Sequence, residues 1–146
     1  MCHRVETTLR GNPAEVGLAR EWARLELAVM YGRLGAAAED IELIVSELVT
    51  NALRAGADYL ALAIDGHHST VRVAVTDDAP GMPVIQDPLP DAERGRGLQI
   101  VAALGFRWGV VLGDRRKTVW ADLPVPAGGG PTFDCTDPGS GDLLRT

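Results

Sequence analysis

The hydrophobic period of this chain changes after Gly56, and that change constrains its fold more than any other feature. Upstream, Ile41, Ile44, Val45, Leu48, Val49 and Ala52 recur at steps of three and four residues, the spacing of one helix face. Downstream, the runs YLALAID at 59–65 and VRVAVTD at 71–77 alternate residue by residue, with Gly66 in the turn between them. That is the pattern of a β-hairpin with one buried face. A one-faced helix followed by one-faced strands predicts layers, with helices packed on a sheet.

The remaining elements follow from the same signals. A short strand is expected over 5–9. Asn12 can cap a helix that starts at Pro13 and runs to 34, with Glu15 three residues beyond the cap and Gly35 as the stop. Val16, Leu18, Trp22, Leu25, Val29 and Leu34 roughly follow one face of that helix. A second helix is expected over 38–54, stopped by Gly56. Residues 78–96 form a stretch rich in Pro, Asp and Gly, too long for a tight connection. A short helix is predicted over 97–104. RWGVVLG and KTVWADL then read as two further strands joined through residues 113–116, and the basic run Arg115, Arg116 and Lys117 reads as a hairpin turn, with contact to an acidic partner as the alternative.

The order β-α-α-β-β-loop-α-β-β predicts an α+β domain, a two-layer α/β sandwich. Its sheet should be mixed or mostly antiparallel, with the helices on one face. Residues 1–123 make the domain; residues 124–146, with three consecutive glycines, four prolines and few apolar residues, are expected to form a flexible tail. A chain of 146 residues buries one core.

Composition narrows the function. A net charge of −6 with scattered basic residues argues against direct nucleic-acid binding, which depends on clustered Lys and Arg. No apolar stretch reaches the ~18–20 residues that span a bilayer, and the N-terminus has no signal-peptide core. Cys2 and Cys135 lie at opposite ends, and His3, His67 and His68 are not at zinc-ligand spacing. The expectation is a cytoplasmic protein without a structural disulfide or zinc.

Glu47 and Asn51, four residues apart, leave the same side of the second helix. With Asp40 and Arg54 they form a polar stripe that borders the apolar arc, where a pocket rim would lie. Such a pair offers one acid or base and one neutral oxygen ligand, which suits a metal-bound phosphate; on spacing alone a solvated helix face is the commoner outcome. Asp77 continues the parity of Val71, Val73 and Val75, so either it carries a carboxylate to the buried side of the sheet or the strand has ended and Asp77 starts a turn. A buried carboxylate needs a hydrogen-bonding partner, and an adenine amino group would serve. Gly81 lies in a Pro/Gly cluster. Gly95 and Gly97 directly precede a helix, where backbone N–H groups can approach phosphate oxygens. Asp87, Asp91 and Glu93 read as solvated loop residues, and Trp22, Trp108 and Trp120 as packing residues.

Taken in order, SELVTNA at 46–52, VTDDAPGMP at 75–83, GRGLQIV at 95–101 and KTVWADL at 117–123 resemble the ATPase domain shared by gyrase-type topoisomerases and sensor histidine kinases. The resemblance runs over residues 4–123 and is closest to the stand-alone anti-sigma-factor serine/threonine kinases. It implies that Glu47 is the general base and that Asn51 binds Mg²⁺. It puts Asp77 at the adenine-reading position, Gly81 at the second glycine of that box, and Gly95, Gly97 and Leu98 in the phosphate-binding glycine box. Thr118 would lie near the phosphates. The sequence departs from the family at Ala79, where many relatives have glycine, and at Ala55, where relatives usually have histidine.

The resemblance implies ATP and Mg²⁺ as cofactors and, as partners, a small anti-sigma-factor antagonist protein and a sigma factor, with a homodimer as a further possibility. Two function classes stand. One is an ATP-dependent serine/threonine protein kinase acting on the antagonist. The other is a nucleotide-responsive anti-sigma binding module with little transfer chemistry. The retained acid and metal ligand favour the kinase, while Ala55 favours the binding module.

Overall fold

The computed structural model describes residues 3–80 and 107–126. Within them the elements are β1 (His3–Arg10), α1 (Glu15–Tyr31), α2 (Ala36–Arg54), β2 (Tyr59–Gly66), β3 (Thr70–Asp77), β4 (Arg107–Leu112) and β5 (Lys117–Pro124). The strands form one sheet in the order β1-β2-β3-β5-β4. Every pairing is antiparallel, so among the described residues the sheet has no parallel pair. This is the expected α+β sandwich. The helix expected over 97–104, the long loop beyond Pro80 and the tail beyond 126 lie outside the described residues.

Alternation assigns the two faces of the sheet. Leu60, Leu62 and Ile64 of β2, Val71, Val73 and Val75 of β3, and Val119, Ala121 and Leu123 of β5 pack into one core. Ile41, Ile44, Val45, Leu48, Val49 and Ala52 of α2 cover them, as the three-and-four spacing predicts. Pro124 closes β5, and Val125 joins the same core with its N–H bonded to Ser69 O at 2.9 Å. The described core therefore includes Val125.

The first helix departs from expectation in its length and in its face. It starts at Glu15, where Asn12 Oδ1 accepts the Ala14 N–H at 3.0 Å and Asn12 O accepts the Glu15 N–H at 2.9 Å. It ends at Tyr31, because Gly32 takes φ 75° and turns the chain three residues before Gly35. The residues buried on α1 are Ala19, Ala23, Leu27, Met30 and Tyr31. Leu18, Leu25 and Val29 instead face outward at 62%, 56% and 68% exposure. A helix with apolar residues on both sides has no unique inward face in its sequence. Here the small side chains of Ala19 and Ala23 go inward, and they allow close approach to the neighbouring layer. Tyr31 ties the helix end to the β2–β3 turn, its hydroxyl donating to His67 O at 2.7 Å. Burial raises the Tyr31 phenol well above its ordinary range.

The opposite face of the sheet carries a row of alternating charge. Arg4, Asp65, Arg72, Asp122 and Arg107 stand side by side in register across all five strands. Arg4 grips Asp65 at 2.8 and 3.0 Å. Arg72 grips Asp122 at 2.6 and 2.8 Å, and Arg107 adds a contact to Asp122 at 2.7 Å. Such bidentate contacts satisfy carboxylates that are almost wholly buried. The Arg72 guanidinium stacks on Trp120, 4.0 Å from the ring centre. Trp22 and Trp108 pack at the margin of the core, so all three tryptophans serve packing.

Candidate functional site

Glu47 and Asn51 lie on the C-terminal half of α2, each half-buried at the edge of its apolar arc. The polar stripe thus sits on the core rim, with Asp40 and Arg54 at its exposed ends. The helix then stops in a Schellman turn. Gly56 has φ 92°, its N–H donates to Leu53 O at 3.0 Å, and the Ala57 N–H donates to Ala52 O at 3.1 Å. Ala57 is buried, and the chain passes straight into β2.

This reversal sets the α2 end beside the end of β3. Leu60, near the start of β2, is paired with Asp77, the last residue of β3. Asp78 secures the junction: its Oδ1 accepts the Asp58 N–H at 2.9 Å and the Tyr59 N–H at 3.1 Å. Those bonds, that from Tyr59 first, hold the Asp78 carboxyl below its ordinary range. The stripe of Glu47 and Asn51 and the carboxylate of Asp77 therefore belong to one end of the domain.

Asp77 faces the helix layer and is 2% exposed. Of the two readings its parity allows, the inward one is correct. Its Oδ1 accepts the Ala79 N–H at 2.8 Å and a bond from Lys117 Nζ at 2.9 Å. Lys117 Nζ also donates to Ala79 O at 2.9 Å. A buried carboxylate here has a buried ammonium as its partner within the chain. Sequence reasoning missed Lys117 by reading it as the end of a basic turn. The signal was present: Lys117 shares parity with Val119, Ala121 and Leu123, all of which face the helices.

The same parity turns Thr118 away from Asp77. Its Oγ1 meets Thr76 Oγ1 at 2.7 Å on the opposite face of the sheet, so the structure does not bring Thr118 to the other site residues. Gly81, Gly95, Gly97 and Leu98 lie outside the described residues. Ala79 is buried between Asp77 and Lys117, and Ala55 is the cap residue that follows α2.

A cleft of about 370 Å³ opens at this end of the sheet, lined by Ala79, Pro80, Arg115, Arg116 and Lys117 among others. Arg116 lies over the Tyr59 ring, 4.1 Å from its centre. The cleft therefore carries three cations, Arg115, Arg116 and Lys117, against one acid, Asp78, a balance suited to an anionic ligand. Among the described residues no three His, Cys, Asp or Glu side chains converge on a metal position. A magnesium ion does not require such a cage, since it commonly takes one or two protein oxygens and completes its shell with phosphates and water. A half-buried Asn51 beside Glu47 fits that demand.

An antiparallel sheet covered on one face by two helices, with Glu47 and Asn51 on the second helix and a buried aspartate at the end of β3, defines an α+β domain with a candidate nucleotide site. The model of the histidine kinase-like ATPase domain family matches residues 9–122, well over half the chain, and this protein belongs to that family. The domain is thereby an ATP-binding one, of a kind that fits ATP-dependent phosphotransfer in general. No match was found among the curated proteins. No helix among the described residues is long and apolar enough to cross a membrane.

Proposed function

We propose that this protein is an ATP-dependent serine/threonine protein kinase of the anti-sigma-factor type, acting on a small antagonist protein. The observation that carries the reading is the placement of Glu47 and Asn51. Both are half-buried, one turn apart, on a helix whose end is fastened to the strand that bears Asp77. Glu47 would accept the proton of the substrate hydroxyl. Asn51 would offer its amide oxygen to Mg²⁺, which when bound neutralises charge on the phosphates. Asp77 keeps Oδ2 for the exocyclic amine of adenine, since its described bonds fall on Oδ1. The partner proteins proposed are the antagonist and a sigma factor, bound by the protein acting as a homodimer in the cytoplasm. With a net charge of −6 it would act through proteins rather than on nucleic acid directly.

Glu47→Gln tests the reading. Glutamine keeps the size of the side chain but accepts no proton, so ATP affinity should persist while single-turnover transfer to a partner Ser or Thr is nearly abolished. Undiminished transfer would remove Glu47 as the base. Ala55 supports a second reading. A methyl group follows α2 where the resemblance expects a histidine, which suits a nucleotide-responsive binding module. Nucleotide-dependent partner binding without any transfer in the wild-type protein would select it.

A further inference from the structure

The Lys117–Asp77 pair looks at first like a neutralised core charge, but its bonding is incomplete in a specific way. An ammonium has three N–H donors. Lys117 uses one on Asp77 Oδ1 and one on Ala79 O, and among the described residues no third acceptor meets it. Asp77 likewise takes both of its bonds on Oδ1, which leaves Oδ2 as an acceptor. The two side chains are 7% and 2% exposed, so water does little to satisfy the remaining positions. Lys117 also lines the cleft at the sheet end. A donor with an N–H to spare therefore stands 2.9 Å from one oxygen of a carboxylate whose other oxygen takes no bond among the described residues.

Adenine carries the complementary pair, with the amino group on C6 as a donor and the adjacent ring nitrogen N1 as an acceptor. A carboxylate alone reads only the amino group. We propose that Lys117 is a second base-reading residue, donating its third N–H to N1 while Asp77 Oδ2 accepts from the amino group. This rests on the reading of Asp77 as the purine-facing carboxylate. It assigns to Lys117, the first residue of the run at 117–123, a specificity role that the resemblance did not give it. The two contacts act together, because the bond to Lys117 fixes which carboxylate oxygen is turned away from the base.

The test compares ATP with 1-deaza-ATP, which keeps the amino group but replaces N1 by C–H, using calorimetry on the full chain. Wild type should bind the deaza nucleotide about 10- to 100-fold more weakly than ATP, the range expected for a hydrogen bond to a charged donor. Lys117→Met should weaken ATP by a similar factor and bind both nucleotides alike, while Lys117→Arg should keep part of the discrimination. Lys117→Met leaves Asp77 without its counter-ion. Lys117→Thr, whose hydroxyl can still donate locally, replaces it with the same expectation if the methionine variant does not fold. Equal affinities in wild type overturn the proposal, and so does discrimination that survives loss of the ammonium. A wild-type protein that binds neither nucleotide overturns the nucleotide reading itself, a result distinct from binding both equally.

Discussion

Asp77→Asn separates the electrostatic role of the buried pair from its hydrogen bonds. Asparagine still offers a carbonyl oxygen to the Ala79 N–H and to Lys117 Nζ, which now lie 2.8 and 2.9 Å from Oδ1. What disappears is the negative charge, so an ammonium 7% exposed is left without a counter-ion. Breaking a buried pair from one side costs about 3–5 kcal/mol; with the hydrogen bonds retained, the lower end, about 3 kcal/mol, is expected. That is a large part of a typical domain stability of about 5–15 kcal/mol. At a urea dependence of about 1.5 kcal/mol per molar, the unfolding midpoint should fall by about 2 M. Trp22, Trp108 and Trp120 provide the fluorescence signal for equilibrium unfolding. The double variant Asp77→Asn with Lys117→Met removes the stranded charge and should recover most of the loss, since an apolar side chain of similar length replaces the ammonium. A double variant no more stable than Asp77→Asn alone would refute the argument, as would an unchanged midpoint in the single variant.

Three further outcomes follow from the packing. Leu27→Ala should cost about 2–5 kcal/mol, because the side chain is 1% exposed, whereas Leu25→Gln at 56% exposure should stay within about 0.5 kcal/mol in the same urea titration. Similar losses in both would return α1 to the face expected from its larger residues. Gly109→Ala places a Cβ 2.9 Å from Trp120 Cζ2, and thermal unfolding should report a loss of about 1–3 kcal/mol; a wild-type melting temperature would show that the indole does not lie over that strand. His67 is held below its ordinary value of 6.5 chiefly by burial. Its folded form therefore resists protonation, so this contribution to stability is complete above pH 6.5 and declines as pH falls toward the lowered value. Replacing His67 with Gln should flatten that acid-side decline in a pH series of unfolding curves.

Much of the architecture was legible in the residues themselves. A period of 3.6 in α2 and a period of 2 in β2, β3 and β5 name their elements and their buried faces, because each face is set by local geometry. Gly56 marks the helix end for the same reason, since a positive φ is a local requirement. Glu47 and Asn51 could be found as neighbours on one helix, and Asp77 as an inward carboxylate, from spacing and parity. The boundaries of α1 and its inward side were not legible. Apolar residues occupy both sides of that helix, and only the close approach of the neighbouring layer selects Ala19 and Ala23 over Leu18 and Leu25.

The sequence alone determined the order of the described helices and strands, their single core and the residue types of the candidate site proposed on them, all of which depend on contacts within a few positions along the chain. Tertiary structure decided which strand lies next to which. That pairing order, with β5 placed between β3 and β4, brings Lys117 to Asp77 from 40 positions away and turns Thr118 to the far side. It also aligns Arg4, Asp65, Arg72, Asp122 and Arg107 into one row, although each belongs to a different strand. Charges so distant along the chain meet only when a sheet register is fixed, and that register follows from burying the apolar face of every strand at once.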